Sequence, residues 1–196
     1  MAKLLRLVIV LTAITTVSGL TLSYVHKMTA GPIKMVKIRQ VKAPAVAEVF
    51  AGLKPENDPT ADLKEIQVGA DARGKPVIVY AFPAKKGGQT VAVAIETFGV
   101  GYHEGLGVMT AIGAAGEHKG KVIKIGITSH HETPGKGDKV TLPDFKKQFA
   151  GLEATAPVDK SKIDAISGAT MSTNGVIEAV NKALEIFKAH REQLLN

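Results

Sequence analysis

Residues 77–95 read VIVYAFPAKKGGQTVAVAI, two runs rich in β-branched residues on either side of a glycine-bearing turn. Such runs favour β-strands, and the Lys-Lys-Gly-Gly sequence at 85–88 joins them as a hairpin. A second pair of apolar runs, 108–113 and 122–128, flanks a polar loop that contains Gly116 and Gly120. Consecutive hairpins predict an antiparallel sheet.

Helical patterns lie on both sides of these strands. Short helices are predicted at 45–50 and at 142–149, and a long amphipathic helix at 172–195. The long helix carries an apolar stripe at helical spacing, as a helix that packs on a sheet requires: Val176, Ile177, Val180, Leu184 and Phe187. Strands without βαβ alternation, with helices at the ends, predict an α+β fold.

An uncharged apolar segment, LVIVLTAITTVSGLTLSYV, occupies residues 7–25, and about 20 apolar residues span a bilayer. A cleaved signal peptide is the alternative, because Lys3 and Arg6 supply its basic start. The apolar part is long for a signal peptide, however, and no clear Ala-x-Ala site follows. The sequence therefore predicts one N-terminal transmembrane helix, an uncleaved anchor that contacts the membrane through residues 7–25.

Three segments follow from this division: a cytoplasmic tail and anchor at 1–27, a connector and helical N-terminal part at 28–75, and a folded domain at 76–196. Five basic residues lie between 27 and 42, which predicts contact with lipid headgroups. Only two precede the apolar run, so the positive-inside rule, taken literally, favours a cytoplasmic folded domain.

The composition argues against several other functions. The chain has no cysteine, which excludes disulfides and thiolate-bound clusters or zinc. It has no tryptophan and 5% aromatic residues, so stacking platforms for nucleic acid are scarce and no nucleic-acid partner is expected. His130 and His131 are adjacent, so on a strand they would point to opposite faces, and we predict no metal site. No catalytic triad or carboxylate pair indicates hydrolysis, and no catalytic residue is assigned.

The stretch Ser167-Gly168-Ala169-Thr170 precedes the long helix directly. The first backbone N–H groups of a helix have no internal partner, and the helix dipole favours negative charge there. A threonine hydroxyl beside small residues at this place can hold a phosphate or be joined to one. The alternative interpretation is a small-residue cap that only starts the helix.

Two glycine-bearing segments precede this one. Residues 99–107, GVGYHEGLG, miss the dinucleotide fingerprint, because the spacing is wrong and a strand follows. They indicate a loop that brings backbone close to another strand or a ligand. Residues 128–139, TSHHETPGKGDK, contain a Thr-Pro-Gly turn. This segment is either a polar turn or a site in which Glu132 and Thr133 offer polar groups at the end of the sheet.

Together these pieces resemble the FMN-binding domain family, and within it the G subunits of Rnf electron-transport complexes. The C subunits of Na⁺-translocating NADH:quinone reductases are related. The resemblance rests on the N-terminal anchor, on Gly101-Tyr102 leading through two strands into residues 128–139, and on Asp164-x-x-Ser167-Gly168-Ala169-Thr170. It covers roughly half of the chain, from residue 99 to the end of the last helix.

The resemblance implies a cofactor and its attachment. FMN would be joined covalently through its phosphate to Thr170 by a dedicated flavin transferase that uses FAD and Mg²⁺, and 76–196 would be the FMN-binding domain. Gly168 and Ala169 would leave room for the transferase and the ribityl chain. Hydrogen bonds to phosphate oxygens would come from Ser167, Ser172 and Thr173, while Glu132 and Thr133 would lie near the isoalloxazine ring. Asp164 opens the signature and is assigned to the same site.

The resemblance also implies partners and a place in the cell. The chain would be one subunit of an Rnf-type complex that couples ferredoxin and NAD⁺ redox to ion movement, with other membrane subunits as partners. Its folded domain would lie on the extracytoplasmic side of the inner membrane, against the charge count. Two alternatives stay open: a flavinylated carrier for another membrane or extracellular reductase, and a non-redox binding module with Thr170 unmodified. Lys136 departs from the family pattern, which has an apolar residue after the Pro-Gly turn.

Overall fold

The computed structural model describes residues 1–71, 73–103 and 105–195, and at positions 32, 34, 35 and 37–39 it describes the backbone alone. The side chains of Lys34, Lys37 and Arg39, part of the basic stretch, therefore lie outside the described residues, as does Glu104 of the 99–107 loop. The chain forms two compact units, Met1–Gln40 and Val41–Asn196. The predicted segment boundaries after residues 27 and 75 remain a proposal.

The first unit is dominated by helix α1, Ala2–Lys37, after which π-helical turns run over Ile38–Lys42. Its part Ala2–Gly31 is long and apolar enough to cross a membrane, with a mean hydropathy of 1.9. The hydroxyls of Thr15, Thr21 and Thr29 donate to carbonyls one turn earlier, so these polar groups need no outside partner. The predicted N-terminal apolar helix is thus confirmed as a helix, and its fitness to span a membrane rests on length and composition.

The second unit contains a five-stranded sheet in which every neighbouring pair is antiparallel and the order follows the chain. Both predicted hairpins are present, and the predicted α+β class is confirmed. The first strand, β1, was not predicted. The strands are β1 Lys64–Ala70, β2 Pro76–Lys86, β3 Gln89–Gly99, β4 Leu106–Gly113 and β5 Val122–Ser129.

The helices of this unit come before the first strand and after the last strand in the sequence. The long predicted helix begins two residues early, at Thr170, and is interrupted at His190, whose backbone leaves the helical region (φ −114°, ψ 24°). Predicted residues 142–149 form one α-helical turn followed by a 3₁₀ turn. The helices are α2 Ala43–Phe50, α3 Pro143–Lys146, α4 Thr170–Ala189 and α5 Arg191–Leu195.

The core lies on both faces of the sheet. Every residue of β4 is buried, which requires cover on each face, and α4 and α2 both pack on this strand. Because successive side chains of a strand point to opposite faces, the two helices cover the two sets of β4 residues. The predicted apolar stripe of α4 is buried, including Val176, Val180 and Phe187, so the interpretation of this helix is confirmed.

A close crossing fixes α4 on the end of β3. A Cβ atom on Gly99 would lie 1.9 Å from the carbonyl oxygen of Gly175, so the two backbones touch where neither has a side chain. Farther along, the buried Thr97 hydroxyl donates to the carbonyl of Ala179 at 2.6 Å. The N-terminus of α4 therefore lies at one end of the sheet, where β3 ends, β4 begins and β5 ends.

Candidate functional site at the N-terminus of helix α4

The segments 99–107, 128–139 and 167–170, described in the sequence analysis, meet at this end of the sheet. Together with the first turn of α4 they form a cleft of about 510 Å³. One wall comes from the loop after β3, one from the turn after β5, and one from the start of α4. Other clefts in the described chain have similar volumes, so chemistry rather than size distinguishes this one. Its lining residues are Tyr102, Glu132, Thr133, Lys136, Gly137, Gly168, Ala169, Thr170, Met171 and Ser172.

The first turn of α4 presents unpaired backbone donors to this cleft. The first helical hydrogen bond runs from the Thr173 N–H to the Ala169 carbonyl at 3.0 Å, so the N–H groups of residues 170–172 precede it. The N-cap, Ala169, supplies no side-chain hydrogen bond, and the first turn carries no acidic residue. The positive end of the helix dipole is therefore neutralised neither by a capping side chain nor by a carboxylate of its own first turn. Thr170 is the first residue of this helix and is exposed.

The backbone before α4 leaves this end open. Gly168 has a φ of +75°, and a Cβ atom built there would meet nothing within 4 Å. The following N–H, of Ala169, is already bonded to the Ile166 carbonyl at 2.9 Å, which closes a turn just before the helix. A glycine at 168 thus permits the left-handed turn and leaves the space beside Thr170 free of side-chain atoms.

The two buried hydroxyls of the first turn have partners inside the protein. Ser172 donates to Glu132 Oε2 at 2.5 Å, and Thr173 Oγ1 accepts the Ile166 N–H at 3.2 Å. Both side chains are buried, at 1% and 2% exposure. Their contact with a phosphate stays a prediction, and the backbone N–H groups of residues 170–172 are the donors of this turn that precede the first helical hydrogen bond.

Two other predicted residues lie outside the cleft lining. Ser167 and Asp164 are both exposed, and neither borders the cleft. The backbone of Asp164 is tied to Gln148, whose side-chain oxygen accepts its N–H at 2.7 Å. Their assignment to the cofactor site remains a prediction drawn from the signature.

The predicted pair Glu132 and Thr133 follows β5 and borders the cleft in two different ways. Glu132 is 5% exposed and accepts the N–H groups of Tyr102 and His103, each at 3.3 Å. Thr133 is exposed on the lining, and its carbonyl accepts the Lys136 N–H at 3.2 Å to close the Thr-Pro-Gly turn. Of the two, Thr133 is the more exposed, and both line the cleft.

The glycines of the 99–107 loop allow the backbone contacts that the sequence indicated. A Cβ atom on Gly101 would lie 2.3 Å from Glu132 Oε1, and one on Gly107 would lie 2.5 Å from Thr128 Oγ1. At Gly99 the neighbouring atom is backbone, the Gly175 carbonyl, so the absence of a side chain is required there, whereas a side chain at Gly101 or Gly107 would have to displace the side chain of Glu132 or Thr128.

A second pair of contacts holds the end of β3 to α4. Glu178 Oε2 accepts the Val100 N–H at 3.2 Å, and Lys182 Nζ donates to the Phe98 carbonyl at 2.9 Å. Hydrogen bonds from Lys182, and then from the Val100 N–H, hold the pKa of the Glu178 carboxyl below its usual range. This junction lies beside the cleft but does not line it.

The cleft also includes residues that the sequence reasoning did not assign to it. Tyr102 and Met171 are 63% and 55% exposed, and Lys136 is exposed as well. Tyr102 adjoins the glycine of the recognised motif, and Met171 follows Thr170, so proximity to the motifs was the available signal. Within the described ranges, no group of three or more His, Asp or Glu side chains is arranged to hold a metal ion.

Comparison with known proteins places these features in a family. Residues 101–185 match the family model described as FMN-binding domain. The chain is 34% identical over 189 residues to the G subunit of the ion-translocating oxidoreductase complex of Cereibacter sphaeroides, covering 91% of this chain and 82% of that protein. It is 30% identical over 200 residues to the corresponding protein of Shewanella piezotolerans, covering 91% and 92%.

A solved structure supports the fold alone. The crystal structure of Shewanella oneidensis NqrC superposes with a TM-score of 0.51 at 22% identity, covering 64% of each chain. At this identity the likeness shows that the two domains share an architecture.

Proposed function

The chain belongs to the family formed by the G subunits of ion-translocating oxidoreductase complexes, and on that premise we propose that it is a membrane-anchored flavoprotein subunit that carries electrons within an Rnf-type complex. Thr170 is the proposed attachment point for FMN. The single observation that carries this proposal is the uncapped N-terminus of α4, which presents an exposed threonine hydroxyl and unpaired N–H groups on the wall of a cleft.

The residues present fit FMN. A phosphate at Thr170 would meet the backbone N–H groups of residues 170–172 and the positive end of the helix dipole. Gly168 leaves the adjoining space free of side-chain atoms. The cleft, at about 510 Å³, falls within the range of roughly 300–1,000 Å³ that small-molecule sites occupy. Tyr102 and Met171 add apolar surface, and Thr133 adds a hydrogen-bonding group.

FMN, when bound, supplies the one- and two-electron chemistry, and the protein supplies position and electrostatics. Thr170 tethers the phosphate, so a domain outside the cytoplasm does not lose its cofactor to dilution. The turn after β5 and the loop after β3 form the walls that orient the group attached at Thr170. Ser167 is proposed to support the phosphate, and Ser172 and Thr173 to hold in place the first turn of α4, whose backbone N–H groups would meet it. Asp164, Gly168 and Ala169 are proposed to belong to the recognition sequence of the transferase.

Attachment requires a maturation partner, a flavin transferase that uses FAD and Mg²⁺. The Thr170 oxygen forms a bond to the FMN phosphorus of FAD, the pyrophosphate bond breaks, AMP leaves, and the hydroxyl proton passes to solvent. Thr170 is exposed, and the turn before it projects no side chain into the space at Gly168, so an enzyme has access to the hydroxyl.

The other partners follow from the family. We infer that the chain assembles with further membrane subunits of a complex that couples ferredoxin and NAD⁺ redox to ion translocation. The apolar part of α1 anchors it in the inner membrane, and the FMN-binding domain lies on the extracytoplasmic side.

The test is intact-mass measurement and in-gel flavin fluorescence after denaturation, on the full chain co-expressed with an active flavin transferase. We expect the wild type to gain the mass of one FMN less water and Thr170→Ala to gain nothing. The matched control is Thr155→Ala, which removes an exposed threonine hydroxyl that lies outside the signature and borders a different cleft. It should be flavinylated like the wild type.

Other outcomes separate the alternatives. A wild type that gains no mass beside a transferase shown to be active on another substrate would overturn the flavoprotein proposal and favour the non-redox binding module. A flavinylated chain that never co-purifies with membrane subunits would instead favour a carrier for a different reductase.

A further inference from the structure

Glu132 is a buried carboxylate at the point where all three walls of the cleft meet. Its two oxygens accept three hydrogen bonds: from the N–H of Tyr102, from the N–H of His103, and from the Ser172 hydroxyl. The first two donors belong to the loop after β3, the third belongs to the first turn of α4, and the carboxylate itself follows β5. One side chain therefore ties together three segments that are distant in sequence.

Glycines on two sides allow the carboxylate to reach this position. A Cβ atom on Gly137 would lie 2.6 Å from Ser172 Oγ and 2.7 Å from Glu132 Oε2, and one on Gly101 would lie 2.3 Å from Glu132 Oε1. None of these distances is compatible with a real side chain, so the backbone encloses the carboxylate from both sides. With 5% of its surface exposed, Glu132 has little contact with the cleft's interior.

This arrangement gives Glu132 a different role from that of a ligand contact. A carboxylate and a phosphate repel each other, and the donors around Glu132 are already directed at its oxygens. We propose that Glu132 is a positioning residue: it fixes the loop that carries Tyr102 against the helix turn that carries Thr170, and so sets the width of the cleft. This inference rests on the proposed attachment of FMN to Thr170.

The chemistry of the carboxylate is required for this role. Glutamine has nearly the same shape, but its amide offers one acceptor oxygen and turns an NH₂ group toward donors. At least one of the three hydrogen bonds is then replaced by two donors facing each other in a buried place. The loop and the first turn of α4 separate locally, while the sheet and the core of α4 keep their contacts.

The experiment compares Glu132→Gln with Glu178→Gln in the full chain. Glu178 is a matched control, because it also accepts an N–H of the loop after β3 but contacts neither Ser172 nor the cleft. The readouts are the rate of flavin attachment by purified transferase with FAD and Mg²⁺, and the visible circular dichroism of the flavin once attached. Both are measured well below each variant's thermal unfolding midpoint, so that loss of folded protein does not contribute.

We expect Glu132→Gln to lower the kcat of attachment at least tenfold with the KM for the protein substrate changed less than threefold, and to alter the flavin circular dichroism. Glu178→Gln should stay within twofold of the wild type. Ser172→Ala removes the same contact from the helix side, so adding it to Glu132→Gln should slow attachment little further. It also carries the test alone if Glu132→Gln does not fold: slowed attachment supports the proposal, and a wild-type rate overturns it.

Wild-type rate and circular dichroism in a folded Glu132→Gln variant would overturn the positioning role while leaving attachment at Thr170 intact. Fully multiplicative effects of Glu132→Gln and Ser172→Ala would overturn it as well, because the two residues would then act separately. Failure of the wild type itself to accept FMN would instead count against the proposed function.

Discussion

At the scale of single residues, Lys136 places a basic side chain in the lining of the cleft. The turn before it is closed by the Thr133 carbonyl, and Gly137 after it packs against Glu132 and Ser172, so its backbone position is well defined. Its side chain lines the cleft together with Thr170. A positive charge in a cleft favours the more negative state of whatever is held there.

We expect Lys136→Leu to lower the midpoint potential of the attached flavin, because the reduced state carries more negative charge than the oxidised one. Since Lys136 is exposed, the effect should be at most on the order of 1 kcal/mol, roughly 20 mV for a two-electron couple. The measurement is spectroelectrochemical titration at low and high salt, and the shift should shrink as salt screens the charge.

Lys139→Leu is the control for this prediction. Lys139 is exposed and lies three residues farther along the same segment, but it does not line the cleft. Equal shifts in the two variants would mean that only the net charge of the domain acts on the flavin, and that the position of Lys136 is irrelevant.

At the scale of secondary-structure elements, α4 is joined to the end of β3 by a backbone crossing and by two side-chain hydrogen bonds. The crossing of Gly99 and Gly175 allows the approach, and Glu178 and Lys182 bond to the backbone of residues 98–100. Because the folded protein holds the pKa of Glu178 low, this junction contributes stability that depends on pH.

Its contribution has a definite sign. A carboxyl with a lowered folded pKa contributes fully above the ordinary glutamate value of about 4.3, and the contribution is lost as pH falls through the folded pKa. We therefore expect Glu178→Gln to lower the thermal unfolding midpoint relative to wild type at pH 6, and the difference to shrink as the pH falls below about 4.3 and through the lowered folded pKa of Glu178. Since the side chain is 43% exposed, the effect should stay below about 1 kcal/mol.

The comparison uses Glu185→Gln, an exposed glutamate two turns farther along α4. It should show a smaller difference at pH 6. A Glu178→Gln deficit of the same size at every pH would show that the side chain stabilises by packing, and would contradict the electrostatic account of the junction.

Elements with a strong local signal were predictable, and those defined by distant contacts were not. Glycine turns and β-branched runs predicted β2 to β5, and the apolar stripe predicted α4. Strand β1 was not predicted because it is an edge strand with one buried residue, Ile66, and so lacks the apolar run of an inner strand. The break in the helix at His190 was not predicted because the helical spacing of apolar residues continues past it to Leu194.

The candidate site was predictable in its parts but not in its connections. Sequence reasoning found Thr170, Glu132 and Thr133 from motifs, and the position of Glu132 near the flavin ring stays a prediction. The hydrogen bonds of Glu132 to two loop N–H groups and to the α4 hydroxyl depend on the close approach of backbones at Gly101 and Gly137. Glycines are common in loops, and nothing local distinguishes one that is required by a neighbour about 30 residues away.

At the scale of the whole molecule, the question with most functional weight is the side of the membrane on which the FMN-binding domain lies. The basic residues flanking the span number more on its C-terminal side, which by itself would keep that side in the cytoplasm. The proposed extracytoplasmic location of this domain requires the opposite orientation, with residues 1–6 on the cytoplasmic side. A two-charge tail is easily retained, and large folded domains translocate largely regardless of loop charge.

The absence of native cysteine makes this orientation directly measurable. We expect Ala189→Cys, at the exposed end of α4, to react with a membrane-impermeant maleimide in intact spheroplasts, and Ala2→Cys to react only after the membrane is opened. The unsubstituted chain is the control for non-specific labelling. The reverse pattern would place Thr170 in the cytoplasm. A flavin released there would not be lost from the cell, so a covalent tether would not be needed to retain it. Loss of cofactor to the surroundings would then no longer explain why the flavin is attached covalently, even if the flavin itself were present.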